Sequence, residues 1–426
     1  MPNLIINPVL SLSGIVSLPG SKSISNRSLL LAALANGTTE IINLLDSEDT
    51  TLMLNALIEL GIRVEKIDDD RLILEGASGP LPTKKKQYML DLGLAGTALR
   101  PLTAALTLGK GRFVIDGNSR MRERPISDLV QGLQELGAKI KFLRDKGYPP
   151  IEVLGTGLDG GDISLPGNIS SQYLTSILMI APLTNEGVSI EVTGTQVSKP
   201  YLDITIEMMR EFGVKVSHSD YKYFHVDPQE YQSPGEFFVE GDASSATYFL
   251  AAGAISGDGI TVRGLDQHSI QGDLEFAQVL KAMGGIVEFR KDEIFVSPGD
   301  LKAIDMDLNH IPDAAMTVAI LALFATGTTT IRNIQNWRVK ETDRLYAMSQ
   351  ELRKVGAIVE EGEDYLTITP PEKLKPAVIE TYGDHRMAMC FSLIALGGIT
   401  ITIIDPNCVT KTFPGYFEEF DRLTHR

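Results

Sequence analysis

The sequence predicts an α/β (α+β) protein of two domains, in which a helix–strand–helix–strand–strand unit recurs. The first observation is length, because a chain of 426 residues exceeds the size at which a single hydrophobic core stops growing. The second is a set of polar helix openings, each followed by an apolar run, a glycine and a strand. The third is a set of glycines that end other helices before two short strands. Such a unit recurs with a period of about 70 residues, and a fixed period is typical of repeat architectures.

Six stretches rich in hydroxyl or charged side chains predict the starts of six helices. They begin at Ser21, Gly93, Gly167, Gly241, Asn309 and Gly383, and the glycines that close the following apolar runs are Gly37, Gly111, Gly187, Gly259, Gly327 and Gly398. A helix start carries unpaired N–H groups and the positive end of the helix dipole, so it readily binds an anion. Six such starts, some of them bearing Lys or Arg, indicate a protein that binds a strongly anionic ligand.

A second signature recurs among these helices and consists of a helix end, a glycine and two short strands. Its glycines are Gly61, Gly137, Gly213, Gly284 and Gly356. Each of them fits the left-handed residue that ends a helix. The alternation of apolar and polar residues that follows, as in residues 364–369, predicts a half-buried strand.

The repeated units divide the chain into two predicted domains. Residues 21–240 form the upper domain with units one to three, and residues 1–20 and 241–426 form the lower domain with units four to six. The chain therefore crosses from one domain to the other near residues 20 and 240. Residues 4–18 have strand character and no unit of their own, so we expect them to complete the sixth unit, which runs off the C-terminus.

The composition limits the class of partner. A formal net charge of −16 argues against nucleic acid or an anionic membrane as the main partner, but not against a small anionic ligand. Two cysteines are too few for a disulfide framework, and neither a signal peptide nor an apolar stretch long enough to span a bilayer is evident. We therefore expect a soluble, cytoplasmic protein. The sequence shows no metal-ligand spacing and no dinucleotide-binding fingerprint.

Basic and hydroxyl residues at the predicted helix starts are the first candidates for an anion site. Lys22 would act as a point charge and Arg27 as a fork that donates two N–H groups to a carboxylate. Their stretch superficially resembles a phosphate-binding loop but lacks its full spacing, and a capped surface helix is the alternative. Ser170 and Ser171 suit either a helix cap or a pair of donors to a phosphate. Arg124, in a turn before a helix, is by itself more typical of surface charge.

Carboxylates near two later helix starts are candidates for proton transfer. Asp313 follows a proline at a predicted helix start, where it would serve either as a cap or as a general base. If residues 336–344 are helical, Lys340 and Arg344 share one face of that helix, with Glu341 beside them. A solvated charged face is the alternative interpretation of that stretch.

Ten segments carry the most specific residue patterns of the chain. They are LPGSKSISNR (18–27), AGTALRP (95–101), RERP (122–125), SSQY (170–173), VSKPY (197–201), GDASSA (241–246), HIPDAAM (310–316), NWRVKETDR (336–344), DHRMAMCF (384–391) and KTFPGYF (411–417). In this order they closely resemble the EPSP synthase (3-phosphoshikimate 1-carboxyvinyltransferase) family of enolpyruvyl transferases, of the bacterial glyphosate-sensitive type. The resemblance implies two domains, each of three βαβαββ units in an inverse α/β barrel, which agrees with the six units counted above.

The resemblance also implies an activity. Members of this family transfer the enolpyruvyl group of phosphoenolpyruvate to the 5-hydroxyl of shikimate 3-phosphate and release phosphate, in the shikimate pathway to chorismate and the aromatic amino acids. The reaction uses no metal or organic cofactor and passes through a tetrahedral ketal. A monomer that glyphosate inhibits competitively is further implied.

Site residues follow from the same resemblance, motif by motif. Shikimate 3-phosphate would be held by Lys22, Ser23, Arg27, Ser170, Ser171, Gln172, Ser198, Tyr201, Asp313, Asn336 and Lys340. Phosphoenolpyruvate would be held by Lys22, Gly96, Arg124, Gln172, Arg344, Arg386 and Lys411. Asp313 would accept the proton of the 5-hydroxyl, and Glu341, with Lys22 assisting, would protonate the methylene carbon.

One position departs from the family, and two other functions stay open. The family usually has asparagine where this chain has Leu94, so a polar contact at that position must come from the backbone. An enolpyruvyl transferase acting on UDP-N-acetylglucosamine is one alternative, but it carries a reactive cysteine in a mobile loop, whereas Cys390 lies in an apolar helix and Cys408 in a late turn. The other alternative is a non-catalytic anion-binding protein, which would gain little from carboxylates such as Asp313 and Glu341 beside its ligand.

Overall fold

The helices begin where the polar openings predict them. The computed structural model describes residues 3–425, and within them the α-helices are α1 (Lys22–Leu34), α2 (Glu48–Glu59), α3 (Gly96–Leu108), α4 (Ser127–Glu135), α5 (Ser171–Ile180), α6 (Pro200–Glu211), α7 (Ala243–Ile255), α8 (Phe276–Met283), α9 (Ala315–Leu321), α10 (Arg344–Lys354), α11 (His385–Ser392) and α12 (Tyr416–Leu423). The odd-numbered helices start within or just after the six predicted openings, so those predictions are confirmed. No helix of the described residues is long and apolar enough to cross a membrane.

Short strands separate these helices. They are β1 (Leu4–Ile6), β2 (Ser11–Ser17), β3 (Thr38–Ile42), β4 (Arg63–Lys66), β5 (Arg71–Glu75), β6 (Gln87–Asp91), β7 (Gly111–Asp116), β8 (Lys139–Phe142), β9 (Ile151–Gly155), β10 (Gly161–Pro166), β11 (Val188–Thr193), β12 (Ser217–Ser219), β13 (Tyr223–Val226), β14 (Glu236–Phe238), β15 (Gly259–Arg263), β16 (Ile286–Arg290), β17 (Glu293–Ser297), β18 (Asp305–Asp307), β19 (Thr329–Arg332), β20 (Ile358–Glu361), β21 (Leu366–Thr369), β22 (Ala377–Ile379), β23 (Ile401–Ile403) and β24 (Thr424–His425). The predicted helix-ending glycines all adopt a positive φ, from 84° at Gly213 to 104° at Gly61, which only glycine reaches without strain.

The strands form small mixed sheets with one recurring order. In the sheet β6-β7-β9-β8, β6 and β7 are parallel, while β9 runs antiparallel to both of its neighbours. The same order recurs in β10-β11-β13-β12, β14-β3-β5-β4 and β18-β19-β21-β20. Each of these contains the predicted helix–strand–helix–strand–strand pattern and one further parallel strand. That strand precedes the pattern in three of the sheets, as in a βαβαββ unit, whereas in β14-β3-β5-β4 it is β14, which comes after β13 in the chain.

The N-terminal strands belong to two different sheets. β1 pairs with β23 in the sixth unit, as predicted for residues 4–18. β2, however, pairs in parallel with β15 and supplies the first strand of the fourth unit, so the prediction that the whole segment completes the sixth unit is wrong. The alternating pattern of β2 suits any half-buried sheet position, and its partner is chosen by tertiary packing rather than by its own residues.

The chain divides into two compact units. One unit comprises Gly20–Val239, and the other comprises the chain up to Pro19 together with the chain from Glu240 onward. In the first unit, α1, α3 and α5 are buried along their whole length except at Ser23, Thr97 and Gln172, near their N-terminal ends. In the second unit α9 and α11 are entirely buried, and so is α7 except for its last residue. A helix enclosed on all sides needs apolar residues all round, so polar residues concentrate at its ends.

Residues 336–344 do not form the single helix considered above. Gln335–Val339 is a 3-10 helix, and α10 begins only at Arg344. Asp343 causes the new start, since its side chain accepts the backbone N–H of Tyr346 at 3.1 Å and so caps α10. The preceding turn is anchored by Trp337, whose Nε1 donates to the carbonyl of Pro312 at 2.7 Å. This bond also fixes the turn that carries the neighbouring residue, Asp313.

Candidate functional site

Arg27 is a buried cation in the first unit, held by neutral oxygens of its neighbours. Its Nε donates to Thr205 Oγ1 at 2.8 Å, and its two terminal nitrogens donate to the carbonyls of Ser23 at 2.9 Å and Tyr201 at 3.3 Å. Burial lowers the pKa of Arg27 to about 10, although the nearby phenol of Tyr201 opposes this. The guanidinium therefore stays protonated at neutral pH, and its fixed orientation suits an incoming anion.

Lys22 is the first residue of α1, five positions before Arg27. It is buried, and its Nζ lies 3.8 Å from Oδ2 of Asp49, which belongs to the first turn of α2. Asp49 was not identified as a site residue from the sequence. The only feature that could have pointed to it is its position in the first turn of α2, just after the capping residue Ser47. The carboxylate holds the lysine at the N-terminus of α1, where the helix dipole alone would repel a cation.

Gly96 opens α3 opposite two guanidinium groups. A Cβ at Gly96 would lie 2.6 Å from Nη1 of Arg100 and 3.0 and 3.1 Å from the terminal nitrogens of Arg124. Arg124 also donates to the carbonyl of Leu94 at 3.3 Å. The polar contact at Leu94 therefore comes from the backbone, as its apolar side chain requires.

Gln172 lies in the first turn of α5, next to the cap of that helix. Ser170 caps α5 by accepting the backbone N–H of Gln172 at 3.2 Å, so its hydroxyl has the capping function that the sequence left open. The Gln172 side chain accepts a hydrogen bond from Arg100 through Oε1, at 2.9 Å. Sequence reasoning missed Arg100; the available signal was its position one helical turn after Gly96.

The remaining predicted residues of this unit lie at neighbouring helix starts. Ser171 is buried at the first position of α5, and Ser198 is buried just before α6. Ser198 has a φ of 53°, in the left-handed region that a residue other than glycine rarely adopts. Strained backbone of this kind is frequent at binding sites, because surrounding contacts must hold it in place. Tyr201 belongs to the first turn of α6.

Asp313 is the centre of a charge cluster in the second unit. Its carboxylate lies 2.8 Å from Arg344 Nη1, 3.0 Å from Arg386 Nη2 and 3.5 Å from Lys340 Nζ. Burial by itself would raise the pKa of Asp313, but the positive charges of Arg386, Lys340 and Arg344 outweigh it and hold this pKa well below its usual range. The carboxylate is therefore ionised at neutral pH.

Arg344 joins Asp313 to two further carboxylates. Its side chain is 1% exposed, its Nε donates to Asp384 Oδ2 at 2.7 Å, and its Nη2 donates to Glu341 Oε2 at 2.9 Å. Burial opposes the charge of Arg344, yet the three carboxylates raise its pKa above the ordinary arginine value. Together these residues form the Asp313 cluster, defined here as Asp313, Lys340, Glu341, Arg344, Asp384 and Arg386.

Asp384 and Tyr248 contact the arginines around Asp313, and the sequence did not identify either of them as a site residue. Asp384 caps α11 by accepting the backbone N–H of Arg386 at 2.9 Å, so one buried carboxylate binds the side chain of Arg344 and the backbone of Arg386. Nη1 of Arg386 donates to the phenol oxygen of Tyr248 at 3.1 Å. A further buried carboxylate near Asp313 is Asp273. Burial raises the pKa of Asp273 to about 6, and the negative charge of Asp313 contributes to this rise. The N-cap position of Asp384 could have identified it from the sequence. Tyr248 could not be identified in this way, because it lies 138 residues from Arg386 in the sequence.

Two predicted residues complete the second unit's set. Asn336 is buried within the 3-10 helix Gln335–Val339, and Lys411 is buried at the last residue of the 3-10 helix Pro406–Lys411. Within each unit, the predicted residues come from helix starts and from the turns beside them. The arrangement can hold anionic groups on fixed cations and can accept a proton at Asp313.

Comparison with known proteins gives one consistent family. A family model described as EPSP synthase (3-phosphoshikimate 1-carboxyvinyltransferase) matches residues 6–420. The 3-phosphoshikimate 1-carboxyvinyltransferase of Photobacterium damsela subsp. piscicida is 56% identical over 426 residues, which cover 100% of both chains. The protein of the same name from Shewanella denitrificans is 55% identical over 426 residues, covering 100% of this chain and 99% of that protein.

Solved structures give the same result for the fold. The EPSP synthase from Acinetobacter baumannii superimposes with a TM-score of 0.82 at 27% identity, covering 99% of this chain and 98% of that one. The enolpyruvyl transferase NikO from Streptomyces tendae, at 16% identity, has a TM-score of 0.76 over the same shares of the two chains and is similar in fold alone. These likenesses confirm the predicted enolpyruvyl transferase-like α/β fold class.

Proposed function

This chain belongs to the EPSP synthase family, and we propose that it transfers the enolpyruvyl group of phosphoenolpyruvate to the 5-hydroxyl of shikimate 3-phosphate, with release of phosphate. One structural observation supports this reaction most directly. The cationic side chains of Lys340, Arg344 and Arg386 meet at the single carboxylate of Asp313. Such a group combines anion binding with a proton acceptor, and both are needed to transfer an anionic group to a hydroxyl.

Asp313 is the proposed acceptor of the 5-hydroxyl proton. The surrounding cations hold its pKa well below the usual range, which makes its carboxylate a weak base. Substrate phosphates and carboxylates bring negative charge to the same cations. The pKa of Asp313 then rises, because each cation is shared with a second anion. Substrate binding thus strengthens the base at the moment when it is needed.

Glu341, with Lys22 assisting, is the proposed proton donor to the methylene carbon. Glu341 is buried, and its Oε2 accepts a hydrogen bond from Arg344, so its carboxyl group is held in a fixed orientation. As the donor Glu341 must be protonated, and its other oxygen, Oε1, then carries the proton. Protonation of the methylene carbon lets the 5-oxygen bond to the adjacent carbon, which gives a tetrahedral ketal. Loss of phosphate, with return of a proton from the new methyl group to Glu341, restores the double bond in the product.

We propose two binding sets, and we propose that the two compact units are the two domains of the enzyme. For shikimate 3-phosphate the proposed set is Lys22, Ser23, Arg27, Ser170, Ser171, Gln172, Ser198, Tyr201, Asp313, Asn336 and Lys340. For phosphoenolpyruvate it is Lys22, Gly96, Arg124, Gln172, Arg344, Arg386 and Lys411. The support for these sets is that Arg27, Arg124 and Arg386 are buried guanidiniums fixed by hydrogen bonds, which is how proteins hold phosphates and carboxylates.

We further propose that the enzyme acts as a monomer in the cytoplasm and that glyphosate competes with phosphoenolpyruvate. Two cysteines without a disulfide bond are typical of a reducing compartment. The monomeric state and the inhibition are proposed from the family resemblance. An inhibitor that carries a carboxylate and a phosphonate would use the same cations as phosphoenolpyruvate.

The proposed reaction is tested by phosphate release. Phosphate should be released from phosphoenolpyruvate by the purified protein only when shikimate 3-phosphate is also present. Release that depends on UDP-N-acetylglucosamine instead would assign the other enolpyruvyl transfer. Anion binding without turnover of either acceptor would mean a non-catalytic protein.

The cysteines do not favour the UDP-sugar reaction. Burial raises the pKa of the Cys390 thiol to about 12, and burial likewise raises that of Cys408 to about 12. Neither thiol is therefore ionised at neutral pH, and a thiol that is not ionised is a poor nucleophile or acid–base group.

Gly96→Ala is expected to weaken phosphoenolpyruvate binding and glyphosate inhibition together. The new Cβ would lie 2.6 Å from Arg100 Nη1, so the guanidinium ends of Arg100 and Arg124 must move. We expect the KM for phosphoenolpyruvate and the inhibition constant for glyphosate to rise by about tenfold to a hundredfold, since displacement of about 1 Å has effects of this size. Steady-state kinetics with both compounds measure this.

Gly109→Ala is the matched control at the other end of α3. A Cβ there would have its nearest neighbour at 3.7 Å, the carbonyl oxygen of Leu81, so it fits without movement. The control should retain the parent constants. Unchanged constants in Gly96→Ala would contradict the placement of Gly96 in the phosphoenolpyruvate site.

A further inference from the structure

We propose that Arg100 is a positioning residue of the reaction, which fixes the side-chain amide of Gln172 so that its N–H groups face the anionic substrates. This inference rests on the proposed function. Arg100 belongs to none of the binding sets inferred from the family motifs. Its side chain is 3% exposed and lies in the second turn of α3, one turn after Gly96.

The amide of Gln172 has two ends of opposite character. Its oxygen only accepts hydrogen bonds and its nitrogen only donates them, so an anion binds the nitrogen and is repelled by the oxygen. The guanidinium of Arg100 only donates, and its Nη1 lies 2.9 Å from the Gln172 oxygen. Arg100 therefore selects one of the two amide orientations. With the oxygen turned to Arg100, the nitrogen points away from it and is available to a ligand.

Arg100 is itself oriented by fixed groups. Its Nη2 donates at 3.0 Å to the carbonyl of Pro125, the residue that follows Arg124. The phenol of Tyr173 donates to the same carbonyl at 2.7 Å, and the guanidinium carbon of Arg100 lies 5.7 Å from the centre of that ring. These contacts tie Arg100 to the segment of Arg124 as well as to α5. One side chain thereby sets the geometry of two proposed ligands of phosphoenolpyruvate.

The absence of a side chain at Gly96 fits the same arrangement. The nitrogen that donates to Gln172 is also the atom that a Cβ at Gly96 would approach to 2.6 Å. A glycine at this position leaves room for Arg100 to reach α5. Gly96→Ala, which displaces Arg100, and a substitution of Arg100 itself should therefore both disturb the side-chain amide of Gln172.

A double-mutant cycle tests whether Arg100 acts through Gln172. We expect Arg100→Met and Gln172→Ala each to raise the KM for phosphoenolpyruvate by about tenfold, with a smaller change in kcat, since each removes the charge-assisted hydrogen bond between Arg100 and Gln172. The double variant should show no further rise in KM. Independent losses that multiply in the double variant would mean that Arg100 contacts the substrate or supports the fold by itself, and either result would overturn the proposal.

Two further variants separate positioning from folding. Arg100→Lys keeps the charge but has one nitrogen in place of the two that reach Gln172 and Pro125, so its KM should lie between those of the parent and of Arg100→Met. No difference between the two variants would count against the proposal. Arg112→Met, which removes an exposed arginine paired with Glu152 in the same unit, should leave both constants unchanged. Turnover by the parent protein in this assay tests the proposed function separately, since it does not depend on Arg100.

Discussion

Asp313→Asn is expected to lower kcat by about 10²- to 10⁴-fold, the usual contribution of a general base. Asparagine has nearly the same shape as aspartate, but its amide cannot accept the 5-hydroxyl proton. The cations Lys340, Arg344 and Arg386 remain, and they lose a competing carboxylate. The KM for phosphoenolpyruvate should therefore change by less than about tenfold, so the loss falls mainly on kcat.

Phosphate release at saturating substrates measures this loss, and a matched control is available in the same unit. Asp305 lies on β18 and pairs with Arg332, and both side chains are more than half exposed. Asp305→Asn should therefore keep the parent kcat. If Asp313→Asn retained more than about a tenth of the parent kcat, Asp313 would not be the proton acceptor.

The pH dependence of the parent enzyme supplies an independent check on Asp313. The folded pKa of Asp313 is depressed by its cations, so the carboxylate is already ionised at the pH where an ordinary aspartate, with a pKa of about 3.9, still titrates. The acid limb of kcat/KM that belongs to Asp313 should therefore lie below this value in the free enzyme. Asp313→Asn should abolish that limb.

Arg344→Met is expected to lower the free energy of unfolding by about 3–5 kcal/mol, the usual cost of removing one partner from a buried ion pair. Arg344 is 1% exposed and is the shared partner of Asp313, Glu341 and Asp384. Without it, like charges face each other with little water to screen them. Activity should be lost as well, because Arg344 is a proposed ligand of phosphoenolpyruvate.

Tryptophan fluorescence reports on this unit alone. Trp337 is the single tryptophan of the chain, and it is fully buried beside the turn that carries Asp313. Urea unfolding followed at Trp337 should show the loss in Arg344→Met. Arg332→Met, which breaks the exposed pair with Asp305, should leave the free energy of unfolding nearly unchanged.

The stability difference should also depend on pH in a defined direction. The depressed pKa of Asp313 contributes stability that is present above its unfolded pKa, about 3.9, and is lost as the pH falls through the lower folded value. Arg344→Met removes part of that depression. The difference between parent and variant should therefore be largest near neutral pH and shrink below about pH 4. A difference no larger than that of Arg332→Met at neutral pH would contradict the central position of Arg344.

The recurring units were predictable because local chemistry determines them. A glycine with positive φ, such as Gly61 or Gly356, ends a helix for a reason contained in its own backbone, and the polar opening before an apolar run marks the next helix. These signals need no knowledge of distant contacts. The helix starts and the recurring succession of helices and strands therefore agree with the sequence-based predictions.

Errors and omissions occurred where a distant partner decides the outcome. β2 could have joined any sheet, and it pairs with β15 across more than half of the chain. Residues 336–344 contain good helix formers, yet the cap at Asp343 and the bond from Trp337 to Pro312 divide them. In the sequence Arg100 is a single charged residue in an apolar helix, and only the tertiary structure shows that it contacts Gln172 of α5.

The sequence by itself determined the repeated α/β unit, the family and the residue types suited to anion binding and proton transfer. Each of these depends on residues that are close together in the sequence. Only the tertiary structure decided how the charges are paired. Asp313, Arg344 and Asp384 lie on three separate segments, and the tertiary fold brings them within hydrogen-bond distance. Electrostatic energy depends on distance and burial. The low pKa of Asp313 and the role of Arg100 are therefore properties of the fold, and no single segment contains them.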